Sequence, residues 1–160
     1  MPTSQAERSL FRTVLGHFAT GVVVVTGMDD GRPLGFTCQS FTSLSLDPAL
    51  VAIAPAKESR SWPKIAASGR FAVTVLSEKQ EVVARTFAAS SRDKFAGVGW
   101  SPSPSGQPWL HDALAWVDCE IVTTHDAGDH VLVFGRVTGL EAGAGEPLLY
   151  YRGGYGGFQA

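Results

Sequence analysis

The run Gly21-Val22-Val23-Val24-Val25-Thr26, followed by the turn pair Asp30-Gly31 and a second β-rich run at 34–37, constrains the fold more than any other stretch. Consecutive β-branched side chains are stiff at χ1 and favour strands. Asp-Gly readily supplies the positive φ angles of a tight hairpin turn. An early antiparallel hairpin is therefore predicted, and runs of the same character recur at 50–54, 71–76, 115–124, 131–140 and 148–151. Helical signals are fewer. Ser4-Gln5-Ala6-Glu7 reads as a capping box opening a helix in which Leu10, Phe11, Val14, Leu15 and Phe18 recur at roughly helical spacing, ended by Gly16 or Gly21. A second helix is expected over 62–68, stopped by Gly69, and a third from Ser77-Glu78-Lys79-Gln80, which repeats the capping-box pattern. The Pro- and Ser-rich stretch 101–108 reads as a loop long enough to be a lid or a subunit contact. Many strands joined by hairpin turns, with few crossover helices, predict a mainly β fold, an antiparallel barrel flanked by helices rather than a doubly wound parallel sheet. A length of 160 residues fits one domain, 1–160.

Charge and composition exclude several classes of function. The formal net charge is -2 and the Lys and Arg residues are scattered, so the electrostatic footprint of a nucleic-acid binder is missing. With 44% hydrophobic and 18% charged residues the chain is not disordered, and its charge-poor surface is what a sizeable subunit contact would leave. The polar start at 1–8 is not a secretory signal, and no apolar run approaches the roughly 20 residues needed to cross a bilayer, so a soluble, cytoplasmic protein without membrane partners is expected. Cys38 and Cys119 form no C-x-x-C pair and are expected as buried free thiols.

Neither G-x-x-x-x-G-K-[ST] nor a strand-following G-x-G-x-x-G occurs, so neither a P-loop nor a Rossmann site is indicated. Lys57-Glu58-Ser59-Arg60-Ser61-Trp62 offers another grip on phosphate, with Ser59 or Ser61 capping a helix while Lys57 or Arg60 neutralises the anion. An ordinary capped helix is the plainer reading. Gly35-Phe36-Thr37-Cys38-Gln39-Ser40-Phe41-Thr42-Ser43 is dense in small polar residues, which suits either a polar-edged ring ligand or a hydroxyl-rich edge strand. His125-Asp126-Ala127-Gly128-Asp129-His130 invites a metal reading, but no third ligand cluster accompanies it and its centre is good turn chemistry. No G-x-S-x-G elbow supports a serine nucleophile. The aromatics and glycines of Tyr150-Tyr151-Arg152-Gly153-Gly154-Tyr155-Gly156-Gly157-Phe158 would let a backbone approach a flat ligand, or form a flexible tail.

The order of these pieces along residues 11–158 resembles the flavin reductase-like family of FMN-binding split barrels, small reductase components of two-component flavin monooxygenases. The pieces are the segment from Phe18-Ala19-Thr20 through Thr26, then Gly35-Phe36-Thr37-Cys38-Gln39-Ser40-Phe41 with Ser43-Leu44-Ser45-Leu46-Asp47-Pro48, then Ser59-Arg60-Ser61-Trp62. Asp93-Lys94-Phe95, Gly128-Asp129-His130 and Pro147-Leu148-Leu149-Tyr150 follow. Within the family the chain is most similar to reductases serving aromatic or steroid-ring hydroxylases. The resemblance implies a homodimeric split barrel that uses NADH or NADPH to reduce FMN or FAD and supplies diffusible reduced flavin to a partner monooxygenase. It also implies that Thr37, Cys38, Gln39, Ser40, Phe41 and Ser43 line the flavin ring and ribityl chain, with Ala54 and Pro55 packed near the ring. Ser59, Arg60, Ser61 and Trp62 would hold the phosphate, and Arg92, Lys94 and Phe95 would close over it. His130 and Tyr155 would meet the nicotinamide nucleotide, His130 assisting the transfer. The chain departs from the family at Thr74, where Asn is common, and in the short segment after Phe158.

Hydride passing directly between two stacked rings needs no nucleophile and no strong general base, which agrees with the lack of an acid–base constellation. The rival readings are a non-catalytic flavin-binding or sensing protein of the same fold, a split-barrel oxidoreductase with its own organic substrate, and a His-containing metal protein.

Overall fold

The computed structural model describes residues 3–91 and 93–160. The elements run α1 (Gln5–Leu15), β1 (Thr20–Gly21), β2 (Val23–Asp29), β3 (Arg32–Cys38), β4 (Thr42–Leu46), β5 (Ala49–Ile53), α2 (Trp62–Ala67) and β6 (Arg70–Val75). A 3-10 turn (Glu78–Gln80) leads into α3 (Glu81–Ala88), followed by β7 (Trp100–Pro102), β8 (Pro108–Leu110), β9 (Ala115–Ala127), β10 (His130–Ala142), β11 (Leu149–Tyr151) and β12 (Gly154–Gly156). The fold is mainly β and antiparallel, as expected. No helix of the described residues is long and apolar enough to cross a membrane.

Among the described residues seven strands form one sheet in the order β3-β2-β6-β9-β10-β5-β4. Its two edges, β3 and β4, are joined through residues 39–41 alone. Laid flat, seven strands about 4.8 Å apart would separate the edges by about 29 Å, whereas that link spans at most about 14 Å. The sheet must therefore curl into an incomplete barrel, and the bulges in the long β9–β10 ladder at Phe134/Gly135 and Val137/Gly139 help it bend.

The valine run explains itself by burial. Val23 and Val25 face one core with Val51, Ile53, Phe71, Val73 and Val133, while Val22 and Val24 face a second core with Leu76, Phe87, Leu110 and Leu148. A strand covered on both faces reads as a continuous apolar run. Helix α2 closes the first core through Trp62 and Ile65. It can approach because residue 27 is glycine; a Cβ there would lie 2.6 Å from Ile65 Cγ2.

Several expectations change in detail. Residues 42–46 form a strand hidden in the sequence by its serines and threonine. The 101–108 loop is a small β7–β8 hairpin in which Ser103 is buried and Ser105 N–H donates to the buried Asp118 carboxylate at 3.0 Å. The aromatic tail is not free, since β12 pairs with β11 and β11 with β1. Helix α1 has both capping-box hydrogen bonds and ends at Gly16, yet among the described residues none of its own is buried.

Candidate functional site

An open cleft of about 1100 Å³ runs along β3, bounded by the end of β5, the 54–61 segment, the C-terminal end of α3 and the β9–β10 turn. Leu34, Phe36, Ala54, Pro55 and Phe87 give it apolar walls, and Thr37, Cys38, Gln39, Ser40, Ser59 and Ser61 give it polar ones. The Ser40 hydroxyl accepts the Ala54 backbone N–H at 2.9 Å and touches the buried Cys38 Sγ at 3.0 Å. Burial holds the Cys38 thiol above its ordinary pKa, so it stays neutral. The Thr37 hydroxyl donates to the Ala84 carbonyl at 2.6 Å, which fastens β3 to α3 and leaves only oxygen lone pairs for other partners.

On the cationic side, the Ser59 hydroxyl accepts the N–H of Trp62, the first residue of α2, at 3.2 Å, while Ser61, the N-cap position, makes no side-chain capping bond and turns its hydroxyl toward the Gly35 carbonyl at 3.5 Å. Lys94 Nζ donates to the Gly35 and Phe87 carbonyls at 3.3 and 3.0 Å, keeping one N–H for a ligand. Desolvation lowers its pKa, and a bound anion would offset that penalty. Of the two cations expected to meet phosphate, Arg60 lines the cleft, whereas Lys57 is ion-paired with Asp126 on β9.

His130 arrives by a different route. The Lys57 N–H donates to Asp129 O at 2.9 Å and the Val131 N–H to Pro55 O at 3.0 Å, so the β9–β10 turn is stitched to the 55–57 segment. Gly128 makes the turn with φ +70°. His130 Nδ1 lies 2.7 Å from the Asp129 carboxylate, and this hydrogen bond lowers the Asp129 pKa. With that nitrogen protonated, Nε2 remains for the cleft.

Eleven of the residues singled out from the sequence thus converge: Thr37, Cys38, Gln39, Ser40, Ala54, Pro55, Ser59, Arg60, Ser61, Lys94 and His130. Others do not line the cleft. Trp62 lies in the core with its ring edge-on to Phe36 (6.3 Å) and Phe71 (5.8 Å), so its side chain supports a cleft wall instead of meeting a phosphate. Phe95 is edge-on to Phe87 at 4.9 Å and buttresses it from the second core. Phe41 packs against the first core, and Ser43 is exposed on β4. Tyr155 packs edge-on to Tyr150 at 5.1 Å beneath the Arg85 guanidinium, outside its own chain's cleft. Arg92 lies outside the described residues.

Residues 15–159 match the family model described as "Flavin reductase like domain". The chain belongs to the flavin reductase-like family. It is 49% identical over 160 residues to the reductase subunit HsaB of a flavin-dependent monooxygenase from Mycobacterium tuberculosis, covering 98% of this chain and 86% of the relative. The crystal structure of nitrilotriacetate monooxygenase component B from Mycobacterium thermoresistibile superposes with a TM-score of 0.94 at 49% identity, covering 96% and 88% of the two chains. The NADH:FAD oxidoreductase SgcE6 of Streptomyces globisporus, solved with NAD and FAD fragments, gives 0.92 at 36% identity over 99% and 97%.

The donor set of this flavin reductase-like chain fits a flavin, with apolar walls for a flat ring, hydroxyls beside them and cations toward one end for a phosphate. Sequence reading missed Asp29, Arg32, Leu34, Lys64, Phe87, Ser90 and Ser91, which also line the cleft. The Asp30-Gly31 turn signal pairs Asp29 with Arg32, but nothing in the sequence sets that pair, or Lys64 four residues after Arg60, beside the cleft.

Proposed function

We propose that the protein oxidises NADH, or NADPH, and reduces free FMN or FAD, releasing the reduced flavin to a partner monooxygenase. The observation that carries this reading is the convergence of hydroxyls, cations and apolar walls in one open cleft, in a chain 49% identical to a reductase subunit. A bound flavin supplies the hydride acceptor. Ser59, Arg60, Ser61 and Lys94 hold its phosphate, while Leu34, Phe36, Ala54 and Pro55 flank its ring. Backbone N–H groups near Thr37 and Ser40 favour negative charge gathering at the ring's polar edge. His130, aligned by Asp129, orients the nicotinamide nucleotide. No side chain has to move a proton for the transfer itself, and the work of the site is to hold two flat rings in contact. An open cleft suits a flavin that must leave.

The active form is proposed to be a homodimer. Leu10, Phe11, Val14 and Leu15 on α1 are all more than half exposed, Leu10 at 65%, as are Phe18, Leu46 and Leu140. Apolar side chains gathered on one helix face call for a cover, and the low charge content agrees. Tyr155 lines no part of its own cleft, so its expected place at the nicotinamide nucleotide requires a second copy. The partner's substrate is proposed to be an aromatic or steroid ring, which this chain need not contact because only reduced flavin travels between the two proteins.

The deciding experiment is steady-state oxidation of NADH and NADPH under air with FMN, FAD or no flavin added. Turnover that requires added flavin supports the reading. Flavin binding without turnover would replace it with a flavin sensor, and a monomeric mass by light scattering would remove the dimer.

A further inference from the structure

Strand β3 runs the length of the cleft and acts as its ruler. Thr37 and Cys38 stand at the ring end, and at mid-strand the Gly35 carbonyl receives Lys94 and Ser61, which sets the first phosphate position. Arg32 begins the strand three residues earlier, about 10 Å further along at 3.3 Å per residue. It lines the cleft together with Lys64 of α2. Neither side chain has an ion pair or a hydrogen bond among the described residues. Cations held at the far end of a cleft without a structural partner are available to a ligand.

The charge of the cleft points the same way. Arg32, Arg60, Lys64 and Lys94 outnumber the carboxylates of Asp29 and Glu58, an excess suited to more than one phosphate. FMN ends at its phosphate; FAD continues into a second phosphate, a ribose and an adenine.

We propose that Arg32 and Lys64 form a second anion subsite that takes the adenylyl phosphate of FAD, and that FAD is therefore the flavin this protein binds more tightly. The proposal rests on the flavin reductase reading and names the substrate of that same site. NADH carries the same adenylyl diphosphate chemistry, so the test must separate the two nucleotides.

The test titrates the full chain with oxidised FAD and FMN, followed by quenching of tryptophan fluorescence, in the wild type and in Arg32→Gln/Lys64→Gln. The wild type is expected to bind FAD about tenfold or more tighter than FMN, and the double variant to lose that advantage while FMN affinity stays within about twofold. Both side chains are exposed, so the variant should match the wild type in thermal unfolding. Equal wild-type affinities, or equal losses for FMN and FAD, would overturn the proposal. So would a raised KM for NADH at saturating FMN with FAD affinity unchanged, which would assign the subsite to the nicotinamide nucleotide. Failure of the wild type to bind either flavin would remove the reductase reading itself, and the subsite with it.

Discussion

The Ser40 hydroxyl accepts the Ala54 backbone N–H at 2.9 Å, joining the segment after β3 to the residue after β5 although those strands stand apart in the sheet. The bond fastens the curled sheet where Thr37, Cys38 and Ala54 line the cleft. Ser40→Ala leaves the Ala54 N–H without its partner, and about 1 kcal/mol of stability should be lost in urea unfolding. Flavin affinity should fall several-fold because both cleft walls lose their spacing. An unchanged unfolding midpoint together with unchanged flavin affinity would show that the clasp is dispensable.

His130 and the Ser59/Ser61 pair reach the cleft by different routes, and the proposed roles differ accordingly. His130→Ala should raise the KM for NADH more than the Kd for flavin, because the ring enters from the β9–β10 turn and not from the phosphate side. Ser59→Ala/Ser61→Ala should do the reverse. About tenfold in the affected constant is the expected size for a lost polar contact to a charged ligand. Equal losses of both constants in the His130 variant would withdraw its assignment.

What the sequence disclosed and what it hid follow from the same physics. Strands with apolar or β-branched runs were legible, since two-sided burial of Val22, Val23, Val24 and Val25 requires a continuous apolar run. Strand β4 was not, because an edge strand exposed at Thr42, Ser43 and Leu44 has no reason to alternate. Motif residues whose side chains line the cleft were found by chemistry. Trp62 and Phe95 were adjacent in sequence to such residues and pointed the other way, into the two cores, where they support Phe36 and Phe87. Arg32 and Lys64 escaped because an exposed cation on a strand end or helix face looks like ordinary solvated surface until the fold sets it beside a cleft.

Gly27 and Ile65 test how far the site depends on the seat of α2. A Cβ at Gly27 would meet Ile65 Cγ2 at 2.6 Å and Cγ1 at 3.0 Å, so Gly27→Ala must push the helix outward. Overpacking of this kind costs about 1–3 kcal/mol. The Ser59–Lys64 side of the cleft moves with α2, so flavin affinity should fall along with stability. Adding Ile65→Ala to Gly27→Ala should restore flavin affinity while leaving stability low, because it relieves the clash and opens a cavity. Affinity that stayed low in the double variant would disconnect the helix seat from the site.

Cys119 supplies the expected response to alkali. Its thiol is buried between β6 and β10, and burial together with the neighbouring Asp118 carboxylate pushes its pKa up to about 12. In the unfolded chain a thiol ionises near pH 8.5, so the unfolded state releases a proton in a range where the folded state keeps it. The stability contributed by the protonated thiol is therefore complete below about pH 8.5 and declines as pH rises toward 12, by about 2 kcal/mol at pH 10 for this one group. Cys119→Ala should lower stability at pH 7 by leaving a small cavity, yet flatten the decline between pH 8.5 and pH 10 measured by urea unfolding. In the native wild type the thiol should also resist a water-soluble disulfide reagent at pH 8 and react once urea is added. Rapid reaction of Cys119 in the folded protein would mean that β9 opens readily, and the alkaline slope would then have to come from other groups.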